Sequence, residues 1–217
     1  MSSVLPGVRT VKVQPGHIKG ELTRLILRTQ LLPIALEHQS DSAQTQVIMA
    51  TVQTKLVGGA DGVSFNDGGA IGGWPTTQNI SSTHPIQQID VFAGWTIDGI
   101  TITYEKENGD TAKVVHGTPG ARSTIKFGKT ESLLGIVGRA GYHSYYKRSM
   151  VTQITFIIVD TSSSAVRIEG PFGNGDRSNQ GEVFKVSQPI AFAGYAKEGS
   201  DPLGLSGLSF IKAFFAE

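Results

Sequence analysis

From Val47 onward, apolar and polar residues alternate in short runs: "VIMATVQTKLV", "IDVF", "ITITYEKENGDTAKVVH", "STIKF", "ITFIIVD", "VFKV" and "LSFIKAFF". Successive side chains of a strand point to opposite faces, so a period of two marks strands with one buried side. Gly, Asn, Asp and Pro separate the runs, and Asn108-Gly109 in "KENGDT" is the strongest short hairpin signal in the chain. The pattern predicts an all-β domain over residues 47–217, built as a sandwich, barrel or prism. Glycine strengthens that reading. It occupies 27 of 217 positions, well above the usual ~7%, and it clusters where tight turns and close backbone approaches are needed.

Residues 1–46 follow a different pattern. In "IKGELTRLILRTQLL", Ile18, Leu22, Leu25 and Leu32 share one helical stripe that Pro33 ends. A strand through "LTRLILRTQLLPIAL", with Leu25, Leu27 and Leu31 on one face, fits the same residues, and the pattern does not choose between them. Arg9, Lys12, Lys19, Arg24 and Arg28 stand against Glu21, so the segment reads either as a basic surface for a membrane or as a solvated face over a packed stripe. The polar stretch "EHQSDSAQTQ" (37–46) reads as a linker. The expected division is an N-terminal extension over 1–46, for oligomerisation or partner contact, and the β domain over 47–217.

A repeat underlies the β pattern. The strand starts "GITITY", "QITFII" and "GLSFIK" place Ile100, Ile154 and Leu208 at equivalent positions, 54 residues apart each time. Two starts lead into a hairpin strand and a Gly-rich loop, "HGTPGAR" (116–122) and "EGPFGNGDR" (169–177). The third runs to the C-terminus, and "VGGADGVSFND" (57–67) is available to supply its loop from the front of the domain. Such a period predicts a threefold structure around one core, whose last sheet is completed by the N-terminal strand.

Composition narrows the chemistry. A net charge of +1 with 17% charged residues gives no pull toward nucleic acid. The absence of cysteine excludes disulfides, thiol catalysis and cysteine–zinc sites. "MSSVLPGVRTVKVQPGH" lacks an apolar core of the signal-peptide kind, which predicts a cytoplasmic protein, with non-classical release left open. No transmembrane helix is expected. His17, His38, His84, His116 and His143 show no metal-ligand spacing and are expected at the surface or in turns, so neither a metal nor a cofactor is called for. His143-Ser144 lacks a nucleophile elbow and an orienting acid. "GNGDRSNQG" lacks the Lys-Ser/Thr ending of a phosphate loop. Trp74 reads as a loop aromatic, and Phe210, Phe214 and Phe215 as closing the core or a subunit contact.

One stretch carries more than architecture. "FAGWTIDGITITY" (92–104) places Gly94, Trp95 and Asp98 at the mouth of a strand. Asp98-Gly99 fits an ordinary turn, and it equally fits a ligand pocket.

The segments "GGADGVSFND", "IDVFAGWTIDGITITY", "HGTPGA", "ESLLGIVGRAGY", "QITFIIVD", "GPFGNG" and "IAFAGYAKEGS…LSGLSF" together resemble the jacalin-related lectins, in the family's order, over roughly residues 47–215. The resemblance implies a β-prism of three four-stranded antiparallel sheets with pseudo-threefold symmetry. It also implies sugar binding without catalysis, where a Gly-rich loop faces a G-x-x-x-D loop. Its expected partners are glycans or glycoproteins, and a homo-oligomer is expected because single sugar sites are weak.

The chemistry of that motif follows from the side chains. A carboxylate accepts only and has two oxygens, so it takes hydrogens from two neighbouring sugar hydroxyls. Glycine opposite lets the ring approach main chain, and an aromatic covers an apolar sugar face. Gly94, Trp95, Thr96 and Asp98 meet these requirements, with free N–H groups at Trp95 and Thr96; the resemblance implies Gly117 and Gly120 in the facing loop. A possible second site comprises Gly58, Gly59, Tyr142, Asp201 and Leu203. There the position of the family's aspartate falls on Gly204 by motif or on Ser206 by repeat spacing, neither an acid, and Pro202 lacks an N–H. Asp201 is the candidate substitute. The chain runs unbroken through Lys55-Leu56-Val57-Gly58, which in this family goes with mannose or glucose rather than galactose. A glycosidase needs two carboxylates about 5–10 Å apart, and the motif loops show no second acid near Asp98. The alternative function is a β-prism scaffold whose basic N-terminal segment binds a membrane surface or a protein.

Overall fold

The computed structural model describes residues 49–72, 79–120, 122–197 and 204–215, all within a compact unit spanning Thr45–Glu217. The readings made for residues 1–46, Trp74, Asp201 and Leu203 lie outside the described residues.

Three antiparallel sheets form the domain. In the first, β1 (Met49–Gln53) and β2 (Val57–Gly58) lie in turn along one side of β13 (Gly204–Phe215), followed by β12 (Pro189–Lys197) and β3 (Val63–Asn66). Because β1 and β2 share one neighbour, this sheet is four strands wide. The second runs β10 (Val166–Gly173), β9 (Arg148–Asp160), β8 (Glu131–His143), β11 (Glu182–Ser187). The third runs β6 (Thr111–Gly117), β5 (Ile97–Glu105), β4 (Ile86–Ala93), β7 (Ser123–Lys126). The N-terminal strand completes the C-terminal sheet, as the repeat requires.

Alternation sets the core. Ile100, Ile102 and Tyr104 on β5, Ile154, Phe156 and Ile158 on β9, and Leu208 and Phe210 on β13 face inward and are at most 2% exposed. The repeat residues Ile100, Ile154 and Leu208 therefore sit on three equivalent inner strands. Each such side chain contributes roughly 1.5–3 kcal/mol on burial, so a one-residue slip of any inner strand would be strongly opposed. Asn108-Gly109 lies at the β5–β6 turn, where Gly109 takes φ +84°.

One element departs from the all-β reading: the short helix α1 (Asp67–Gly72). Asn66 caps it, its Oδ1 accepting the Gly69 N–H at 2.8 Å. Asp67 is drawn into the interior, 1% exposed. Its Oδ2 accepts the Tyr104 hydroxyl at 2.7 Å, and its Oδ1 lies 2.7 Å from His116 Nε2. The Tyr104 oxygen in turn accepts the Phe192 N–H at 3.1 Å. Burial first, and then the Asp67 charge, push the Tyr104 hydroxyl well above its ordinary pKa of 10.0. This buried polar chain links the first sheet to the third.

The histidines correct the sequence reading. His116 is buried and stacks on Phe65 with ring centroids 3.5 Å apart. His143 is fully buried against Tyr146. An apolar strand pattern does not announce a histidine on the inner face when its partner, here Asp67, is far off in sequence. His84, half-buried, places Nδ1 2.9 Å from a Glu105 carboxylate oxygen. Among the described residues no group of His, Asp and Glu is arranged to hold a metal ion.

Candidate functional site

Each inner strand starts against a glycine loop through the same contact. The Thr118 N–H donates to the Asp98 carbonyl at 2.9 Å, Asn174 to Thr152 at 2.9 Å, and Gly59 to Ser206 at 2.7 Å. The preceding glycines, Gly117, Gly173 and Gly58, take φ of +76°, +82° and +87°. A Cβ on them would stand 2.5, 2.4 and 2.4 Å from those same carbonyl oxygens. Only glycine tolerates both the left-handed backbone and the approach.

Asp98, Thr152 and Ser206 are thus threefold equivalents. This decides the register in favour of Ser206, not Gly204, as the counterpart of Asp98. The Thr152 hydroxyl is consumed by the Gln180 carbonyl at 2.7 Å, and Ser206 is 0% exposed. Of the three, Asp98 alone is an acid, and it is half-buried. Gly117→Ala is expected to cost about 1–3 kcal/mol through backbone strain, and to tilt the loop away from Asp98; thermal unfolding and ligand titration of the variant check both effects.

The rim around Asp98 is built by backbone. A side chain at Gly94 would stand 3.4 Å from Asp98 Oδ2, so glycine there leaves the carboxylate uncovered. The Gly94 N–H closes on the Thr96 carbonyl at 3.0 Å, while the Trp95 and Thr96 N–H groups donate to no backbone acceptor among the described residues. The buried Thr96 hydroxyl donates to Asp98 Oδ1 at 3.3 Å, a long bond. A Cβ on Gly120 would stand 4.0 Å from the Phe92 ring, and Arg122 rides over that ring at 5.0 Å. Burial pushes the Asp98 carboxyl above its ordinary 3.8, while the Thr96 hydroxyl and the Arg122 charge pull it back. The predicted residues Gly94, Thr96, Asp98 and Gly117 are brought together, with Trp95 and Gly120 at their margins.

The second sheet contributes residues that sequence reasoning missed. Gly175 donates to the Gly94 carbonyl and Asn174 to the Trp95 carbonyl, both at 3.0 Å. A Cβ at Gly175 would stand 2.8 Å from that Gly94 oxygen, so the loop can seat only as glycine. From the β8–β9 turn, Tyr145 meets the Trp95 ring edge-on at 5.3 Å. A second acid, Asp176, therefore stands next to the contact with Gly94. Although partly desolvated, it is held below the ordinary aspartate value because the Ser178 N–H and hydroxyl donate to it and His143 lies 3.5 Å away. Asp176 Oδ1 accepts two hydrogen bonds from Ser178, whereas Asp98 accepts one long bond from Thr96. The glycine spacing of "GPFGNGD" was the one signal of this loop in the sequence.

At the second candidate site, Gly58 pairs with Gly207, and a Cβ on Gly59 would meet Ser149 at 2.8 Å. Gly58 and the exposed Tyr142 line one groove of about 580 Å³ with Lys55, Gly181 and Glu182. Ser206 brings no carboxylate to it.

Three four-stranded sheets around one core, with glycine loops closing on the starts of their inner strands, define a three-sided β-prism domain. The family described as the jacalin-like lectin domain matches residues 54–205, and the chain belongs to that family. Its architecture is shared with AcmJRL, a mannose binding jacalin related lectin from Ananas comosus (24% identity, TM-score 0.54, 76% of this chain and 99% of that one). It is also shared with wild-type Malaysian banana lectin (19%, 0.55, 76% and 99%). A mannose-specific jacalin-related lectin from Morus nigra, solved in complex with mannose, is a third (16%, 0.53, 76% and 95%). At these identities the likeness is one of fold. No curated protein matches the chain in sequence at a significant level.

Proposed function

We propose that this protein is a non-catalytic lectin that binds mannose- or glucose-type glycans through the Asp98 carboxylate. The observation that carries the reading is one half-buried acid, framed by Gly94 and Gly117, at one of three otherwise neutral equivalent positions. Two vicinal hydroxyls donate to its oxygens, and the N–H groups of Trp95 and Thr96, which meet no backbone acceptor among the described residues, donate to a third sugar oxygen. The mannose preference is supported by the unbroken Lys55–Gly58 segment and by the mannose-binding relatives that share the fold. Catalysis is disfavoured because the Asp176 Oδ1 already accepts the Ser178 N–H and hydroxyl, and no paired carboxylate is set across the Asp98 rim among the described residues. A single rim of this kind supports a weak interaction, and avidity for glycoproteins would come from several copies in a homo-oligomer.

The test is calorimetric titration with methyl α-mannoside across pH. The ionised carboxylate is the acceptor, so affinity is full well above the folded pKa of Asp98 and falls as pH drops through it. Because that pKa is raised, the loss is expected to begin at a higher pH than an ordinary aspartate of 3.8 would give. Saturable binding with this acid limb supports the reading; absence of binding to any member of a glycan array overturns it.

A further inference from the structure

We propose that the outer face of the second sheet pairs with the same face of a second copy of this chain, about a two-fold axis parallel to the strands. The pairing stands without the Asp98 reading; only the avidity it confers rests on that reading.

This face is apolar where its counterpart on the third sheet is polar. Among the described residues, five of the eight exposed large aliphatic side chains lie on it: Leu134, Val137, Val166, Ile168 and Val183. Ile168, 64% exposed, stands in register with Ile157, Ile157 with Gly135, and Gly135 with Ser187. Glycine brings no side chain to that row, and a groove of about 470 Å³ opens there, lined by Leu134, Val137, Ile157 and Lys185. On the third sheet an outer row reads Thr103, Gln88 and Lys126. Strand propensity therefore does not demand aliphatics on an outer face, and a run of them left in water marks a surface that a partner covers.

Charge and area select a second copy as that partner. Beside β10, Arg167 alone serves two carboxylates, Glu131 and Glu169, which leaves an excess of negative charge. Beside β11 stand Lys185 and Lys212, whose Nζ donates to the Ser187 hydroxyl at 3.1 Å; the acid of this strand, Glu182, lies at its other end. A two-fold axis parallel to the strands lays β10 of one copy over β11 of the other and keeps each residue's height along the strand. Ile168 then enters the groove over Gly135, and Lys185 meets the Glu169 region, each contact being made twice. An axis across the strands would lay β11 over β11 and bring the two cationic edges together. At a rise of about 3.4 Å and a strand spacing of about 4.8 Å, the four strands present roughly 650 Å². Two copies face to face exclude roughly 1,300 Å², within the range of specific interfaces. The axis also has a consequence for the rims. Asp98 and its equivalent Thr152 lie at the same end of the domain, so both Asp98 rims of the dimer open in one direction, toward one glycan-bearing surface.

The experiment is sedimentation equilibrium of the full chain, for wild type, Ile168→Asp, Lys185→Glu, and Lys185→Glu combined with Glu169→Lys. Wild type is expected to form a dimer with a micromolar dissociation constant. Ile168→Asp places a carboxylate in the apolar contact and is expected to weaken the dimer at least about tenfold. Its circular dichroism spectrum should not change, because Ile168 is exposed in a single copy. Lys185→Glu is expected to weaken the dimer about three- to tenfold, and the double variant to recover most of that loss, which a folding defect would not allow. A monomeric wild type, or a dimer indifferent to Ile168→Asp, overturns the proposal; a double variant weaker than Lys185→Glu overturns the axis. On a mannan-coated surface, Ile168→Asp is expected to lose retention while keeping the wild-type affinity for methyl α-mannoside in solution. A wild-type dimer that binds no glycan removes the Asp98 reading and leaves the dimer standing.

Discussion

Asp67→Ala is expected to lower the melting temperature by about 10 °C. Asp67 sits at the first residue of α1 and is buried with two partners, Tyr104 from β5 and His116 from β6. Alanine removes both acceptors at once and leaves the Tyr104 O–H without its acceptor and the His116 Nε2 without its carboxylate partner in the interior. Removing one member of a buried ionic or charge-assisted set costs about 3–5 kcal/mol, and a domain of this size loses about 2–4 °C per kcal/mol. Asp67→Asn, which keeps one acceptor and the volume, should fall between alanine and wild type. Tyr104→Phe should cost less again, since it also frees the Phe192 N–H but leaves His116 paired. Thermal unfolding followed by circular dichroism checks the order. A melting point for Asp67→Ala equal to that of wild type would show that the polar chain does not join the two sheets energetically.

Asp98→Ala should abolish glycan binding and leave the fold intact. The variant loses two charge-assisted acceptors, each about 1.5–3 kcal/mol, against a total of about 4 kcal/mol for a millimolar ligand. Nothing of that interaction would remain measurable. Stability should behave in the opposite way. Burial raises the folded pKa of Asp98 above 3.8, so ionising it opposes folding. That cost is absent below 3.8 and reaches its full size once pH has risen past the folded value. At neutral pH, removing the carboxyl therefore relieves a penalty and should not lower the melting point. Calorimetric titration and thermal unfolding of the same preparation separate the two effects; retained sugar binding in a folded Asp98→Ala would remove this residue from the site.

The two aspartates show how far the sequence could be read. Asp98 was legible as a candidate because the features that mark it lie in a local motif: Gly94 and the Trp95 and Thr96 N–H groups are within four residues of it. Asp67 was not, since "FNDGGAIGG" carries no strand period and its partners lie 37 and 49 residues away. His116 and His143 were assigned to the surface for the same reason. Alternation identifies which face is buried without identifying a polar partner across the core. The Gly175 contact with Gly94 and the Tyr145 contact with Trp95 join different sheets; the glycine spacing of "GPFGNGD" marks a loop without naming what it meets.

What the chain determined by itself was periodicity: alternation fixed the strands, the 54-residue spacing fixed the threefold order of Ile100, Ile154 and Leu208, and glycine marked the loops. These are properties of neighbours along the backbone, where side-chain direction follows from residue count alone. The tertiary structure decided the register of Ser206 against Gly58, the helix at Asp67, the buried histidines, and the meeting of two sheets at the Asp98 rim. Each of those depends on which surfaces face each other across the prism, and that geometry exists only once three sheets have closed on a common core.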